Sequence, residues 1–353
     1  WEPLSNATNR YTFSTNPAAV LLRKYNAKTD NLLTNTLVGY QLIPGLTIKT
    51  SLGYNKLVTD ELYTNPQTSY APSATVNLRQ ATYGTRKIDS WIAEPQLTYN
   101  KSFSFGDMQI LLGSTFQSTK KSVIAFDGSN YSNDEQLENS LAAGTIVPNF
   151  NTMQSEYRYN AIFTRLNYQY QNKYVLNLTA RRDGSSRFGS ANLFHSFYSI
   201  GSAWIFSDEN FVKKNFSWLS FGKLKASYGT TGNDQIQDYQ FLNLYDIYNI
   251  NTSIPYQQIV GLLPSGHSNP YLQWEETRKL NIGLDLGFFK NRILANINFY
   301  RNRSSNQLLG ATLPNMTGFN TILRNIPALV ENKGWELLID ATPVTSESLK
   351  WSI

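Results

Sequence analysis

From Lys279 to Phe288 the sequence alternates with a period of two. Leu280, Ile282, Leu284, Leu286 and Phe288 alternate with Lys279, Asn281, Gly283, Asp285 and Gly287. Successive side chains of a β-strand point to opposite faces, so this segment has one apolar face and one polar or tiny face. After a break at Phe289-Lys290-Asn291-Arg292, Ile293, Ala295, Ile297 and Phe299 alternate with Leu294, Asn296, Asn298 and Tyr300. The pattern predicts a hairpin with one apolar and one mostly wet face.

The unit recurs along the chain. Leu46, Ile48, Leu52 and Tyr54 alternate with Thr47, Lys49, Ser51 and Gly53, after a strand around residues 32–42 and a turn at Pro44-Gly45. Trp91, Ala93, Leu97 and Tyr99 alternate with Ser90, Ile92, Glu94, Gln96 and Thr98. Met108, Ile110, Leu112 and Phe116 alternate with Gln109, Gly113, Thr115 and Gln117. Ile162, Leu166, Tyr168 and Tyr170 oppose Phe163, Arg165, Asn167 and Gln169. Beyond Asn172-Lys173, Tyr174, Leu176, Leu178 and Ala180 oppose Asn177, Thr179 and Arg181. Further strands are expected over 195–206, 221–229 and 330–343. The total is roughly a dozen, each near the about 9–11 residues of a tilted membrane strand.

The connections alternate in length. Those near Pro44, 100–106, 172–173, 289–292 and 345–348 are short, and those near 56–87, 119–156, 235–274 and 304–329 are long. The link at 184–194 is intermediate. That order puts short turns at one end and long loops at the other, as in outer-membrane barrels. The 207–220 link occupies a short-turn slot but is longer, and Ser207 is expected to cap a helical turn there. Ser132-Asn133-Asp134-Glu135 reads as a capping box for a short helix with Leu137 and Leu141 on one face and Gly144 as its stop.

Composition agrees. Of 353 residues, 16% are charged, 14% aromatic and 41% hydrophobic, which is too apolar for disorder and too polar for a helical membrane protein. A barrel strand exposes only alternate residues to lipid, so it tolerates this mixture. The stretch 188–206 carries no Asp, Glu, Lys or Arg, yet its Gly, Ser, Asn and His exclude a membrane helix. The chain has no cysteine, so disulfides and thiolate metal sites are excluded. Its net charge of +6 comes without a basic run: Arg181-Arg182 and Lys120-Lys121 are isolated pairs, and no nucleic-acid partner is expected. Tyr99, Tyr168, Tyr170, Tyr174 and Phe288 fall toward the short turns, whereas Tyr54, Trp91, Phe116, Tyr228, Phe299 and Trp335 fall toward the long loops. Two such groups match two interfacial girdles.

The residues point away from catalysis. His195 and His267 are the two histidines, and both are read as structural or solvated. Gly229-Thr230-Thr231-Gly232 lacks the lysine of a phosphate loop and reads as a loop leaving a strand. Trp274, Tyr245, Tyr248, Tyr256 and Tyr271 lie in or beside the longest loop, where aromatic faces and amides suit sugars and peptides alike. No catalytic, metal or cofactor site is assigned, and no substrate-binding residue is singled out.

An ordered series of motifs resembles the SusC/RagA family of TonB-linked outer-membrane proteins. It runs through Arg181-Arg182-Asp183-Gly184-Ser185-Ser186-Arg187-Phe188-Gly189 and 224–234 (Leu-Lys-Ala-Ser-Tyr-Gly-Thr-Thr-Gly-Asn-Asp) to Asn269-Pro270-Tyr271-Leu272-Gln273-Trp274-Glu275 and Asn281-Ile282-Gly283-Leu284-Asp285. Leu313-Pro314, Thr317-Gly318-Phe319 and Val330-Glu331-Asn332-Lys333-Gly334-Trp335-Glu336 complete it. The resemblance implies an all-β chain forming the middle and later strands of a transmembrane antiparallel barrel of 22 strands. Residues 1–353 would all belong to this one barrel domain. The plug, the TonB-contacting segment and the terminal strands have no counterpart in these residues. The implied function is nutrient import of oligosaccharides or peptides across the bacterial outer membrane. The implied partners are a SusD-like lipoprotein, the TonB complex, outer-membrane lipid and the substrate, with no cofactor. A secreted or surface β-rich binding module and a passive porin are the competing readings.

Overall fold

The computed structural model describes residues 17–70, 76–149, 152–247, 261–345 and 350–353. The strands are β1 (Lys24–Ile43), β2 (Leu46–Asn65), β3 (Gln80–Phe103), β4 (Gly106–Ser129), β5 (Thr145–Pro148), β6 (Met153–Tyr170), β7 (Tyr174–Ser185), β8 (Phe194–Trp204) and β9 (Leu219–Asn233). They continue with β10 (Tyr245–Ile247), β11 (Leu262–Pro264), β12 (Glu275–Phe288), β13 (Ile293–Ser305), β14 (Gln307–Thr312), β15 (Thr321–Ile326), β16 (Val330–Ala341), β17 (Val344–Thr345) and β18 (Lys350–Trp351). A 12-stranded sheet runs in the order β1-β2-β3-β4-β6-β7-β8-β9-β12-β13-β16, with β5 on β4. The small pairs β10–β11, β14–β15 and β17–β18 stand outside it.

The expected strand count and alternation of connections are both present. Short links join β1 to β2, β3 to β4, β6 to β7 and β12 to β13, and longer ones join β2 to β3, β4 to β6, β9 to β12 and β13 to β16. Part of the last expected short turn lies outside the described residues. The β6–β7 turn holds Gln171 and Asn172 in the left-handed region (φ 49° and 58°), a conformation that asparagine tolerates better than most residues.

Strand lengths differ from the expectation. β3 and β4 each have 24 residues, and β1 and β2 each have 20. Much of the expected loop sequence is therefore strand. Likewise Gly229-Thr230-Thr231-Gly232 is not a loop: β9 continues through it to Asn233. Gly232 is required there because a Cβ would collide with the ring of Phe197.

Contacts divide the chain into two units. One comprises Trp1–Thr36, Leu52–Ile92 and Gln117–Glu156. Its buried centre is Ala81, Tyr131 and Leu137. The Tyr83 hydroxyl donates to the Leu137 carbonyl at 2.7 Å, and its ring stacks on Phe126 at 5.1 Å. The helical turn expected near residue 132 is a 3-10 turn, Asp134–Glu138. Its cap is Asn133, which accepts from the Gln136 N–H at 3.0 Å. Leu137 is buried as expected, whereas Leu141 projects into solvent.

The other unit comprises Leu37–Ser51, Ala93–Phe116 and Tyr157–Ile353. Its register confirms the phase read from the sequence. Leu178, Ile200, Tyr228 and Leu280 lie side by side, as do Leu224, Leu284, Ile297 and Leu337. On the opposite face Asn167, Asn177, Gly201, Ser227, Asn281 and Tyr300 form one row. Lys225 donates to Asp285 at 2.9 Å on that polar face.

At the short-turn end the apolar face carries a chain of rings. Tyr170 and Tyr174 lie 6.1 Å apart, Tyr174 stacks on Trp204 at 6.4 Å, and Trp204 meets Phe206 edge-on at 5.8 Å. Phe206 fills the space that Gly222 leaves open. Phe216 and Trp218 lie 5.9 Å apart, and Trp218 stacks on Phe288 at 5.6 Å. This belt crosses the hydrogen-bonded rows obliquely. Tyr174 shares a row with Leu284, yet the belt meets β12 four residues further on at Phe288. Four residues (roughly 13 Å) over three strand spacings (roughly 14 Å) mean that a level belt needs strands tilted by about 40°. The 3-10 turn Phe206–Asp208 and helix α1 (Asn210–Asn215) occupy the β8–β9 link. Ser207 is buried inside that turn and does not cap the helix: residue Glu209 stands at the N-cap position. The Glu209 carboxylate instead accepts from Tyr174 Oη at 2.7 Å, Lys173 Nζ at 3.1 Å and Trp204 Nε1 at 3.3 Å. These hydrogen bonds, the one from Tyr174 first, hold its carboxyl below the usual carboxylate range.

Candidate functional site

The motif residues meet at the long-loop end of β6–β9 and β12. β7 ends at Ser185, and the chain then turns so that Arg187 faces the residues leaving β9. Arg187 Nε donates to Asp238 Oδ1 at 3.0 Å, and its Nη1 donates to the Asp234 carbonyl at 3.1 Å. The guanidinium lies 4.3 Å from the ring centre of Tyr157, within range of a cation–π contact. Asp234 Oδ2 in turn accepts from Ser185 Oγ at 2.7 Å and Tyr157 Oη at 2.8 Å. Burial, reinforced by the Asp234 carboxylate, raises the Tyr157 phenol far above its ordinary value, so it remains a donor. A buried charge is tolerable only when paired and hydrogen-bonded, and each partner here supplies that for the other.

Beneath this network lies an apolar core. Phe188, Phe197, Leu272 and Trp274 are buried, with Ile236, Phe241, Leu308 and Leu323 packed around them. Phe188 and Trp274 lie 5.2 Å apart, and Phe197 meets Trp274 edge-on at 5.8 Å. Asn325 ties the loops by donating to the Gln273 carbonyl at 2.7 Å and accepting from the Gln273 N–H at 3.0 Å.

Over this core opens a cleft of about 850 Å³. Gln235, Gln237 and Gln240 line it, with His267, Phe319 and Asn320. Ile236, Leu308 and Leu323 belong both to its wall and to the aromatic core. Arg187 therefore fixes the two carboxylates that bracket Gln235, Ile236 and Gln237. Among the described residues, no Asp, Glu, Lys or Arg lines the cleft. Amides and hydroxyls over an apolar floor suit an uncharged, hydrogen-bonding ligand.

The aromatic residues of the longest loop, to which no binding role was assigned, do not line the cleft among the described residues. Trp274 is buried in the core, and its Nε1 donates to the Leu193 carbonyl at 3.4 Å. Tyr245 and Tyr271 are exposed outside the cleft, and Tyr248 and Tyr256 lie outside the described residues. His195 contacts Glu276 at 3.2 Å and packs on Phe197 at 4.8 Å, a structural setting. His267 lies 5.8 Å from Phe319 on the cleft wall. Sequence reasoning missed Gln235, Gln237, Gln240 and Phe319 as a group, because two separate loops bring them together.

A family described as TonB dependent receptor-like, beta-barrel, matches residues 2–353. The chain belongs to this family. Among curated TonB-dependent receptors, P3 of Formosa agariphila is 30% identical over 354 residues, covering 98% of this chain and 35% of that protein. SusC of Bacteroides thetaiotaomicron is 30% identical over 259 residues, covering 72% of this chain and 25% of that protein. The solved structure of the RagAB peptide transporter superposes with a TM-score of 0.85 at 26% identity, over 94% of this chain and 36% of that one. This TonB-dependent receptor segment thus spans about a third or less of the relatives it matches. Its sheet is a set of outer-membrane barrel strands, and the SusC/RagA resemblance is confirmed. The short turns are accordingly periplasmic and the long loops extracellular.

Proposed function

We propose that this segment serves TonB-dependent import of an uncharged oligomer, an oligosaccharide or a peptide, across the outer membrane. The observation that carries the proposal is the extracellular cleft whose described lining carries no Asp, Glu, Lys or Arg, seated on the core that the family motifs build. The RagAB relative, named as a peptide transporter, supports the peptide branch. In this reading the segment is one part of a single barrel domain whose plug and TonB contact come from other residues. A SusD-like lipoprotein closes over the long loops, and the ligand passes unchanged, with no catalytic step.

Binding to the intact receptor tests this. Neutral oligosaccharides and peptides are titrated against the native receptor and Phe319→Ala, which strips the ring facing His267. One class is expected to bind saturably, with affinity lowered about tenfold by the variant. Binding of neither class, or no effect of Phe319→Ala, would exclude the cleft as the site. Uptake that persists without TonB would establish a porin instead, and cleavage of the recovered ligand would establish an enzyme.

A further inference from the structure

On the apolar face the residue type changes abruptly along β13 and β16. Phe299 and Trp335 are register partners with ring centres 5.0 Å apart. The next position on that face is Arg301 beside Lys333, and the one after is Arg303 beside Glu331. Arg301 Nη2 lies 2.8 Å from the Glu331 carboxylate, Arg303 Nε 3.4 Å and Lys333 Nζ 3.8 Å. Three cations share one carboxylate, an excess of two positive charges. The neighbouring cation on this face, Arg278, is engaged by Glu276 at 3.0 Å and adds none. No other acidic side chain pairs with Arg301, Arg303 or Lys333 among the described residues.

The position of the cluster identifies what faces it. Leu280, beside Arg301, lies eight residues from Phe288 in the periplasmic belt. That is about 26 Å along the strand and about 20 Å in height at a 40° tilt, close to a membrane barrel's apolar band of about 25 Å. The cations therefore stand at the outer rim of the band, on its lipid face, directly above a ring pair. Guanidinium groups match phosphate oxygens in a planar fork, and an excess of charge at this height calls for an anion from the membrane.

We propose that Arg301, Arg303 and Lys333 form a binding site for the phosphate of an anionic lipid in the outer leaflet, with its acyl chains lying along the apolar face below Phe299 and Trp335. Glu331 holds the three side chains together and is too little charge to satisfy them. The site is independent of what the receptor imports.

Native mass spectrometry of the intact receptor tests this. It is loaded with equal amounts of a phosphorylated diglucosamine lipid and the same lipid after enzymatic removal of phosphate. The phosphorylated form is expected to be retained preferentially, each cation contributing up to about fivefold. The triple variant Arg301→Gln, Arg303→Gln, Lys333→Gln is expected to bring the ratio near one while retention of phosphatidylcholine, which reports an intact barrel, is unchanged. Lys279→Gln removes a cation beside Leu280 on the opposite face and is expected to leave the ratio intact. Equal retention of the two lipids by the native receptor would overturn the proposal. So would an unchanged preference in the triple variant, a loss in Lys279→Gln, or displacement of the lipid by millimolar inorganic phosphate.

Discussion

Arg187 Nε donates to Asp238 Oδ1 at 3.0 Å, joining the turn after β7 to the loop after β9 across 51 residues of sequence. Both side chains are largely buried. Truncation to Arg187→Ala would leave the Asp234 and Asp238 carboxylates without their cation, a loss of about 3 kcal/mol for a mostly buried pair. The expected result is faster proteolysis within residues 234–244 and weaker ligand binding, with the barrel still assembled. Arg187→Lys is expected to recover little, because an ammonium cannot lie flat on Tyr157 while donating in two directions. Protease mapping of both variants checks this.

Leu284 and Asn281 lie on opposite faces of β12. In the intact receptor Leu284→Arg is expected to cost about 2–4 kcal/mol at the bilayer midplane and to lower the amount of folded barrel at the surface. Asn281→Arg, opposite Ser227 and Tyr300 on the polar face, is expected to assemble normally. Gly283 makes a poorer comparison, because even a Cβ there would collide with Lys225 and Asn298. Surface labelling of the two variants reads out the phase of the strand.

Gly232→Ala is expected to destabilise the extracellular core by about 1–3 kcal/mol, since the new methyl displaces Phe197 from Trp274. A lower unfolding temperature in detergent, recovered by the double variant with Phe197→Leu, would confirm that this contact is the cause.

Asp134 joins two extracellular segments by accepting from the Gln67 N–H at 2.8 Å and Arg79 Nε at 2.8 Å. Burial alone would raise its carboxyl, but the hydrogen bonds from Gln67, Thr68 and Arg79 outweigh it and hold the group below the ordinary 3.8. A carboxyl lowered on folding contributes in full above its unfolded value, and the contribution disappears as pH falls through the folded one. Protection from hydrogen exchange over residues 67–70, taken relative to the intrinsic rate at each pH, is therefore expected to be high at neutral pH and to fall below about pH 4. In Asp134→Asn the protection should be low at neutral pH as well, and the acid step should vanish.

How much the sequence discloses depends on whether the two faces of a strand differ. Between Leu280 and Phe288 one face meets lipid and the other does not, so alternation is plain. From Lys56 to Asn65 and from Gln80 to Lys87 polar residues stand on both faces, and β2 and β3 continue there without a period to betray them. The pair β14–β15 was hidden for the same reason within what reads as loop. The cleft was least legible. Trp274 stood out as an aromatic beside the longest loop and the motif at 181–189 by its resemblance to the family, yet they form the support, whereas the lining residues are ordinary glutamines placed by chain folding.

The bonds that converge on Glu209 also bear on how the barrel adapts to its bilayer. Tyr174, Trp204 and Lys173 are tied to one carboxylate, so the periplasmic rim is pinned to its own turn. At the opposite rim the change from ring to charge is made by Arg301 and Lys333, whose long side chains can reach up or down by several ångströms. Hydrophobic mismatch is then accommodated unequally, with the periplasmic side keeping its depth and the outer side absorbing the difference in thickness.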